Sequence, residues 1–239
     1  MNKHTSTAWE PSRKLGRIAG VLYLIIVICG FLGIMYAPSQ VMVRGDAPAT
    51  MHNLLNHEFL FRAGMASQLL SSVVFILLVL ALYRIFRGIH ARRAQLMVVL
   101  VLVQIPLVFL GEGFHLAALM TAKGELMPSL ALIQRQETVY LFLRIYTYGS
   151  IILPMVFWGL WLIPFGQLVI QSGYLPKILG IWLILGGVAY VIEVIDYLLL
   201  AERLSFVTDY FFVFHSVAEL GTMAWLLAKG IQVKERSHS

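Results

Sequence analysis

Residues 61–86 read FRAGMASQLLSSVVFILLVLALYRIF, an apolar run broken only by small or amide side chains until the arginines at its two ends. A helix rises about 1.5 Å per residue, so such a run covers the roughly 30 Å hydrocarbon core of a bilayer. Barrel strands need only about ten alternating residues, and this run is longer and does not alternate. Five further segments read the same way, giving six spans: Arg17 to Ala37, Phe61 to Phe86, Ala94 to Met120, Val139 to Val169, Ile178 to Leu200 and Thr208 to Ala228.

Composition agrees with this reading. The 239 residues (26.9 kDa) are 59% apolar and 13% charged, with a mean hydropathy of +0.82. A soluble domain carries about a quarter charged residues. The balance excludes a disordered chain, a secreted disulfide scaffold and a free nucleic-acid binder, despite a net charge of +6 and a pI near 9.5. The single cysteine, Cys29, lies inside the first run, so there is no intrachain disulfide and no paired-cysteine metal motif.

The placement of cations orients the chain. Lys3, Arg13, Lys14, Arg17, Arg84, Arg87, Arg92, Arg93, Lys177, Lys229, Lys234 and Arg236 fall on one side, and Arg44, Arg62, Lys123, Arg135 and Arg203 on the other. The positive-inside rule then puts both termini in the cytoplasm, and the even span count agrees in placing them on one side. The expected fold is an all-α integral membrane protein: a cytoplasmic tail (1–16), one six-helix transmembrane domain (17–230) and a second cytoplasmic tail (231–239). The first run is too long for the apolar part of a cleaved signal peptide and lacks a clear cleavage site.

Two local features stand out. Span four is overlong and contains Pro154 and Pro164, each removing a backbone donor, so a tilt or kink is expected there. The outer segment Pro38 to Leu60 contains the turn Gly45-Asp46-Ala47-Pro48, then Thr50 as the expected N-cap of a short amphipathic helix. Met51, Leu54, Leu55 and Phe59 supply its apolar side, and His52, Asn53, Asn56 and His57 its polar side. No internal repeat is evident.

The chain resembles the bacterial membrane family catalogued as domain of unknown function 4386. The resemblance rests on Arg17-Ile18-Ala19-Gly20-Val21-Leu22-Tyr23-Leu24, on Gly45-Asp46-Ala47, and on the run from Asn53 through Asn56-His57-Glu58 to Arg62-Ala63-Gly64. Further marks are Gly173-Tyr174-Leu175-Pro176-Lys177-Ile178-Leu179-Gly180, Ala218-Glu219-Leu220 and Trp225-Leu226-Leu227-Ala228-Lys229-Gly230. Glu193 stands where the family pattern has aspartate. The resemblance implies a multi-pass protein of the bacterial inner membrane and supplies no activity, so function has to be argued from the polar residues.

Ionisable groups within spans are costly and mark sites. They are Glu112, His115, Arg144, Glu193, Asp196, Asp209, His215 and Glu219, all expected in the outer half or near the midplane. Matching depth on several helices points to a shared outward-facing polar cavity, with Asp196 and Asp209 at its wet end. Gln104, Glu112 and His115 share a face of span three, and Tyr140, Arg144 and Tyr148 a face of span four. Gly64, Ser67, Gln68 and Ser71 offer a small polar wall from span two. Tyr140, Tyr146 and Tyr148 also suit an interfacial aromatic belt.

The pairs Glu112/His115 and His215/Glu219 each put two metal-competent groups on one helix face, suiting a divalent zinc or iron ion, with His57 on the outer helix beside Glu58 and Arg62 as a third imidazole. Five carboxylates against one arginine and two histidines leave an acidic excess that must be protonated, wet or balanced by a cation. Three functions fit. The first is an inner-membrane protein whose acidic cavity binds a proton, metal ion or small polar cation for transport or sensing. The second is a metal-dependent enzyme acting on a lipid or lipid-linked substrate. The third is a non-catalytic assembly partner packing through Gly16, Gly20, Gly186 and Gly187. The implied partners are the lipid bilayer and a lipid or small cationic ligand, with no nucleic acid.

Overall fold

The computed structural model describes residues 11–200, 203–208 and 210–232. Their regular structure is entirely helical: α1 (Arg13–Gly30), a π-helical segment (Phe31–Tyr36), α2 (Ala37–Val41), α3 (Ala47–Asn56), α4 (Glu58–Phe86), α5 (Ala91–Ala122) and α6 (Leu132–Tyr146). A second π segment (Thr147–Ile152) follows, then α7 (Met155–Ser172), α8 (Lys177–Leu199), α9 (Ser205–Thr208) and α10 (Phe211–Lys229). Among the described residues, six stretches are long and apolar enough to cross a membrane: Arg13–Val41, Glu58–Phe86, Ala91–Ala122, Leu132–Ser172, Lys177–Leu199 and Phe206–Lys229. The protein is thus a multi-pass helical membrane protein whose helices outrun the apolar segments read from sequence by a few residues at several ends. Lys3, Lys234, Arg236 and Asp209 lie outside the described residues.

Both π segments precede a proline. Pro38 and Pro154 have no N–H for the carbonyl four residues back, and the ladder widens instead. Ala37 N–H then reaches Leu32 O and Leu153 N–H reaches Tyr148 O, each five residues back. Of the two prolines expected to tilt or kink span four, Pro154 follows an interruption of the α-helical ladder, whereas Pro164, like Pro106 in α5, sits inside an unbroken helix.

The chain forms two compact units. One comprises Met1–Leu24, Phe75–Leu102 and Met155–Ser239. Its closest packing is between α7 and α8, through glycines. A Cβ on Gly159 would fall on the Gly187 carbonyl, and one on Gly166 on the Gly180 carbonyl. Bilayer helices gain little from hydrophobic exclusion, so small residues that admit van der Waals contact hold such seams. Gly20 packs likewise against the backbone of Leu227, and Gly16 against Ile231. Arg13 Nε and Arg17 Nη2 donate to the carbonyls of Lys229 (3.0 Å) and Ala228 (3.3 Å), closing the C-terminal end of α10 with positive charge. Gly230 follows with φ of 68°, which ends the helix.

The other unit comprises Ile25–Val74 and Val103–Pro154. Val41, Met51, Leu54, Phe61, Ala118, Leu119, Ala122, Val139 and Leu143 form its core. The short amphipathic helix expected in the first outer loop is α3, and it packs on α6. Its N-cap is Asp46, not Thr50: the Asp46 carboxylate accepts from Ala49 N–H at 2.8 Å. Thr50 is buried one turn inside the helix and donates to Asp46 O. Met51 and Leu54 are buried as expected. Phe59 belongs to α4 and is 87% exposed, so it takes no part in the α3 apolar side.

Candidate functional site

The residues singled out in the spans gather into two groups, one within each unit. In the first unit, α10 carries His215 and Glu219 one turn apart, and α8 carries Tyr190 and Glu193 on neighbouring positions of one face. Tyr23 OH donates to Glu219 Oε2 and Tyr190 OH to Glu219 Oε1, each at 3.0 Å. The Tyr190 ring stacks on His215 with centroids 3.5 Å apart, and His215 Nε2 faces Glu193 Oε1 at 3.6 Å. Trp158 and Trp161 wall the two tyrosines by tilted or edge-on contacts, with Trp158 on Tyr190 and Trp161 on Tyr23.

In the second unit, His115 Nδ1 lies 3.1 Å from Glu112 Oε2. The Tyr146 ring stacks on His115 with centroids 3.4 Å apart, and Phe61 closes on the same imidazole at 4.8 Å. The Tyr146 hydroxyl is buried, and none of the described hydrogen bonds engages it. Gln68, Glu112, His115 and Tyr146 are 5%, 4%, 5% and 3% exposed. Each unit therefore holds a tyrosine ring stacked on a histidine that has a glutamate one turn away, and in the first unit the phenol donates to that glutamate.

The remaining predicted residues fall elsewhere. Asp196 was expected at a wet position, yet it is 3% exposed and accepts from Leu204 N–H at 3.0 Å. A carboxylate at a helix end satisfies the amide of the returning chain, which explains its burial. Arg144 lies over the Tyr148 ring at 4.6 Å, and among the described residues no ion pair joins it to a carboxylate. Glu58 pairs with Arg62 (2.8 Å) and Lys123 (3.3 Å) in a solvent-facing cluster, while His57 is exposed at the end of α3. Gln104 is buried on the face of α5 that carries Glu112 and His115. Among the described residues, no three His, Cys, Asp or Glu side chains come together as a metal-holding set.

Sequence reasoning missed the tyrosines. On span four it favoured the face of Tyr140, Arg144 and Tyr148, but the buried stripe is Val139, Leu143, Tyr146 and Ser150. Their spacing of four, three and four residues was the available signal. Tyr146 is accordingly no belt residue, and Tyr140 receives the Gly45 N–H at 3.0 Å.

The family description Domain of unknown function (DUF4386) matches residues 18–230, nearly all of the chain. The protein belongs to this family. No curated protein and no solved structure matches it. The DUF4386 match covers all the residues of both groups, while its description carries no chemistry. What the groups can do follows from their atoms. A tyrosine hydroxyl both donates and accepts, a glutamate changes its hydrogen bonding on protonation, and an imidazole can pass a proton between its two nitrogens.

Proposed function

We propose that the protein is a proton-responsive transporter or sensor of the bacterial inner membrane, with both termini cytoplasmic and residues 17–230 as its membrane domain. The observation that carries this is the setting of Glu219, whose two oxygens are each held by a phenol, from Tyr23 and Tyr190. Among the described residues no ion pair joins Glu219 to a cation. An isolated buried charge is expensive, whereas a carboxyl among phenols has a way out. Ionised, Glu219 accepts from both hydroxyls. Protonated, it donates to one tyrosine oxygen while still accepting from the other, and the displaced phenol hydrogen turns elsewhere. His215, one turn away and facing Glu193 at 3.6 Å, supplies the next stations for the proton.

The competing readings have less support. The described residues contain no metal-holding set of His, Cys, Asp or Glu, which leaves a zinc or iron enzyme acting on lipids without its donors. The glycines proposed as partner seams already touch this chain: Gly16 and Gly20 meet Ile231 and Leu227, and Gly187 meets Gly159.

The test is a proteoliposome holding a pH-sensitive dye, subjected to an acid pulse, together with infrared difference spectra of the purified protein. The expected result is a protein-dependent proton signal and a titrating carboxylic acid band, both lost in Glu219→Gln. Equal signals from wild type and Glu219→Gln would refute the assignment.

A further inference from the structure

In the unit formed by Met1–Leu24, Phe75–Leu102 and Met155–Ser239, contacts tie several chain segments together at one end. Arg13 and Arg17 of α1 hold the carbonyls that close α10. Past that helix, Gln232 N–H donates to Tyr174 O at 2.9 Å, in the turn before α8. The Tyr174 ring lies 6.0 Å from that of Phe86, whose carbonyl accepts from Ile89 N–H at 2.9 Å in the turn before α5. The starts of α1, α5 and α8 and the ends of α4 and α10 therefore meet at this end.

Among the described residues, every Asp, Glu, Lys or Arg at this end is a lysine or an arginine. The carboxylates of the unit that the structure describes are Glu193, Asp196 and Glu219. Along α8 and α10 they lie about 15 Å or more from Lys177 and Lys229, at roughly 1.5 Å per residue. Three helices then repeat one pattern. Arg17 and Val21 on α1, Arg92 and Leu96 on α5, and Lys177 and Ile181 on α8 each pair a cation with an aliphatic residue one turn further into the span, and all of them are exposed. Residues four apart share a helix face, so each cation heads an apolar strip.

We propose that this end of the unit binds anionic phospholipids, with head-group phosphates on Arg17, Arg92 and Lys177 and acyl chains along Val21, Leu96 and Ile181. Basic residues beside a span attract anionic lipid through charge, and the strips beneath them match its tails. A soluble polyanion such as a nucleic acid would use the cations and leave the strips without a role. A zwitterionic lipid brings its own ammonium, which these side chains repel. The surface uses no residue that holds Glu219, so it stands or falls independently of the proton reading.

The test uses the full-length protein in a neutral detergent. Its thermal unfolding is followed during titration with phosphatidylglycerol, phosphatidylcholine, glycerol phosphate or a single-stranded oligonucleotide. A saturable rise in Tm with phosphatidylglycerol is expected, larger than that with phosphatidylcholine and weakened by added salt. Arg92→Gln and Lys177→Gln should each raise the half-saturating concentration about fivefold. Arg203→Gln, beyond the opposite end of α8, should leave it unchanged. Arg17 is spared because it also holds Ala228 O. If one of the two variants does not fold, the other decides. Equal responses to the two lipids, or an undiminished response in the folded variants, would overturn the proposal. So would a rise of the same size with glycerol phosphate, which would mean a free phosphate site, or with the oligonucleotide, which would mean a nucleic-acid surface.

Discussion

Tyr190 lies flat on His215, the ring planes 9° from parallel, while its hydroxyl donates to Glu219 one turn further along α10. One side chain thereby fixes the imidazole by its face and the carboxyl by its tip. The two roles can be separated by mutation. Tyr190→Phe keeps the stack and removes one of two donors to Glu219, costing about 1–3 kcal/mol. Tyr190→Leu also loses the ring contact, a further ~0.5–1.5 kcal/mol. Unfolding in detergent should rank wild type above Tyr190→Phe and Tyr190→Phe above Tyr190→Leu, and equal stabilities of the two variants would show that the ring contact contributes nothing.

The α7–α8 seam should be intolerant of any side chain. A Cβ at Gly187 would approach Gly159 O to 2.6 Å, a backbone atom that cannot rotate away. Gly187→Ala should therefore destabilise by about 1–3 kcal/mol through overpacking. Gly113, in α5, has nothing within 4 Å of its ideal Cβ, and Gly113→Ala should be neutral or stabilising by up to ~1 kcal/mol. Melting temperatures of the two variants, compared side by side, check the contrast.

The capping role of Asp46 predicts a local effect. Asp46→Ala should cost about 1 kcal/mol and loosen the first turn of α3, while Asp46→Asn should cost less. Hydrogen exchange at Ala49 and Thr50 is the direct readout. Unchanged protection in Asp46→Ala would mean that packing on α6 alone holds the helix.

Orientation can be read with cysteine chemistry. Cys29 is buried and free, so Cys29→Ala gives a thiol-free background. In intact cells, a membrane-impermeant maleimide should label Arg44→Cys, in the loop between the first two spans, and should label Gly88→Cys only after lysis. The reverse pattern would invert the topology drawn from the arginines and lysines.

The six spans were legible because long apolar runs have one cheap solution in a bilayer, the closed hydrogen-bonding of a helix. The α3 helix was legible for a similar reason, since Met51 and Leu54 recur at helical spacing. Its first residue was not: Asp46 and Thr50 are both competent caps, and the choice depends on Pro48 occupying the opening turn. The π segments escaped because proline acts on the carbonyl before it, shifting the register among residues that look ordinary, such as Leu32 and Tyr148. The pairs Glu112/His115 and His215/Glu219 were visible as one-turn spacings on single helices. Tyr23, Tyr146 and Tyr190 were not, because which face of a helix meets a neighbour is settled by packing between distant segments.

The two phenol, imidazole and carboxyl trios run through the chain as mirror images. One reads Glu112, His115, Tyr146 and the other Tyr190, His215, Glu219. The wiring differs too, for His115 engages Glu112 on its own helix, whereas His215 faces Glu193 on α8 and leaves Glu219 to the phenols. The pairing also equips the molecule with its own reference standard: a substitution that disables either trio leaves the other, built from the same three side chains, to be compared under identical lipid, pH and temperature.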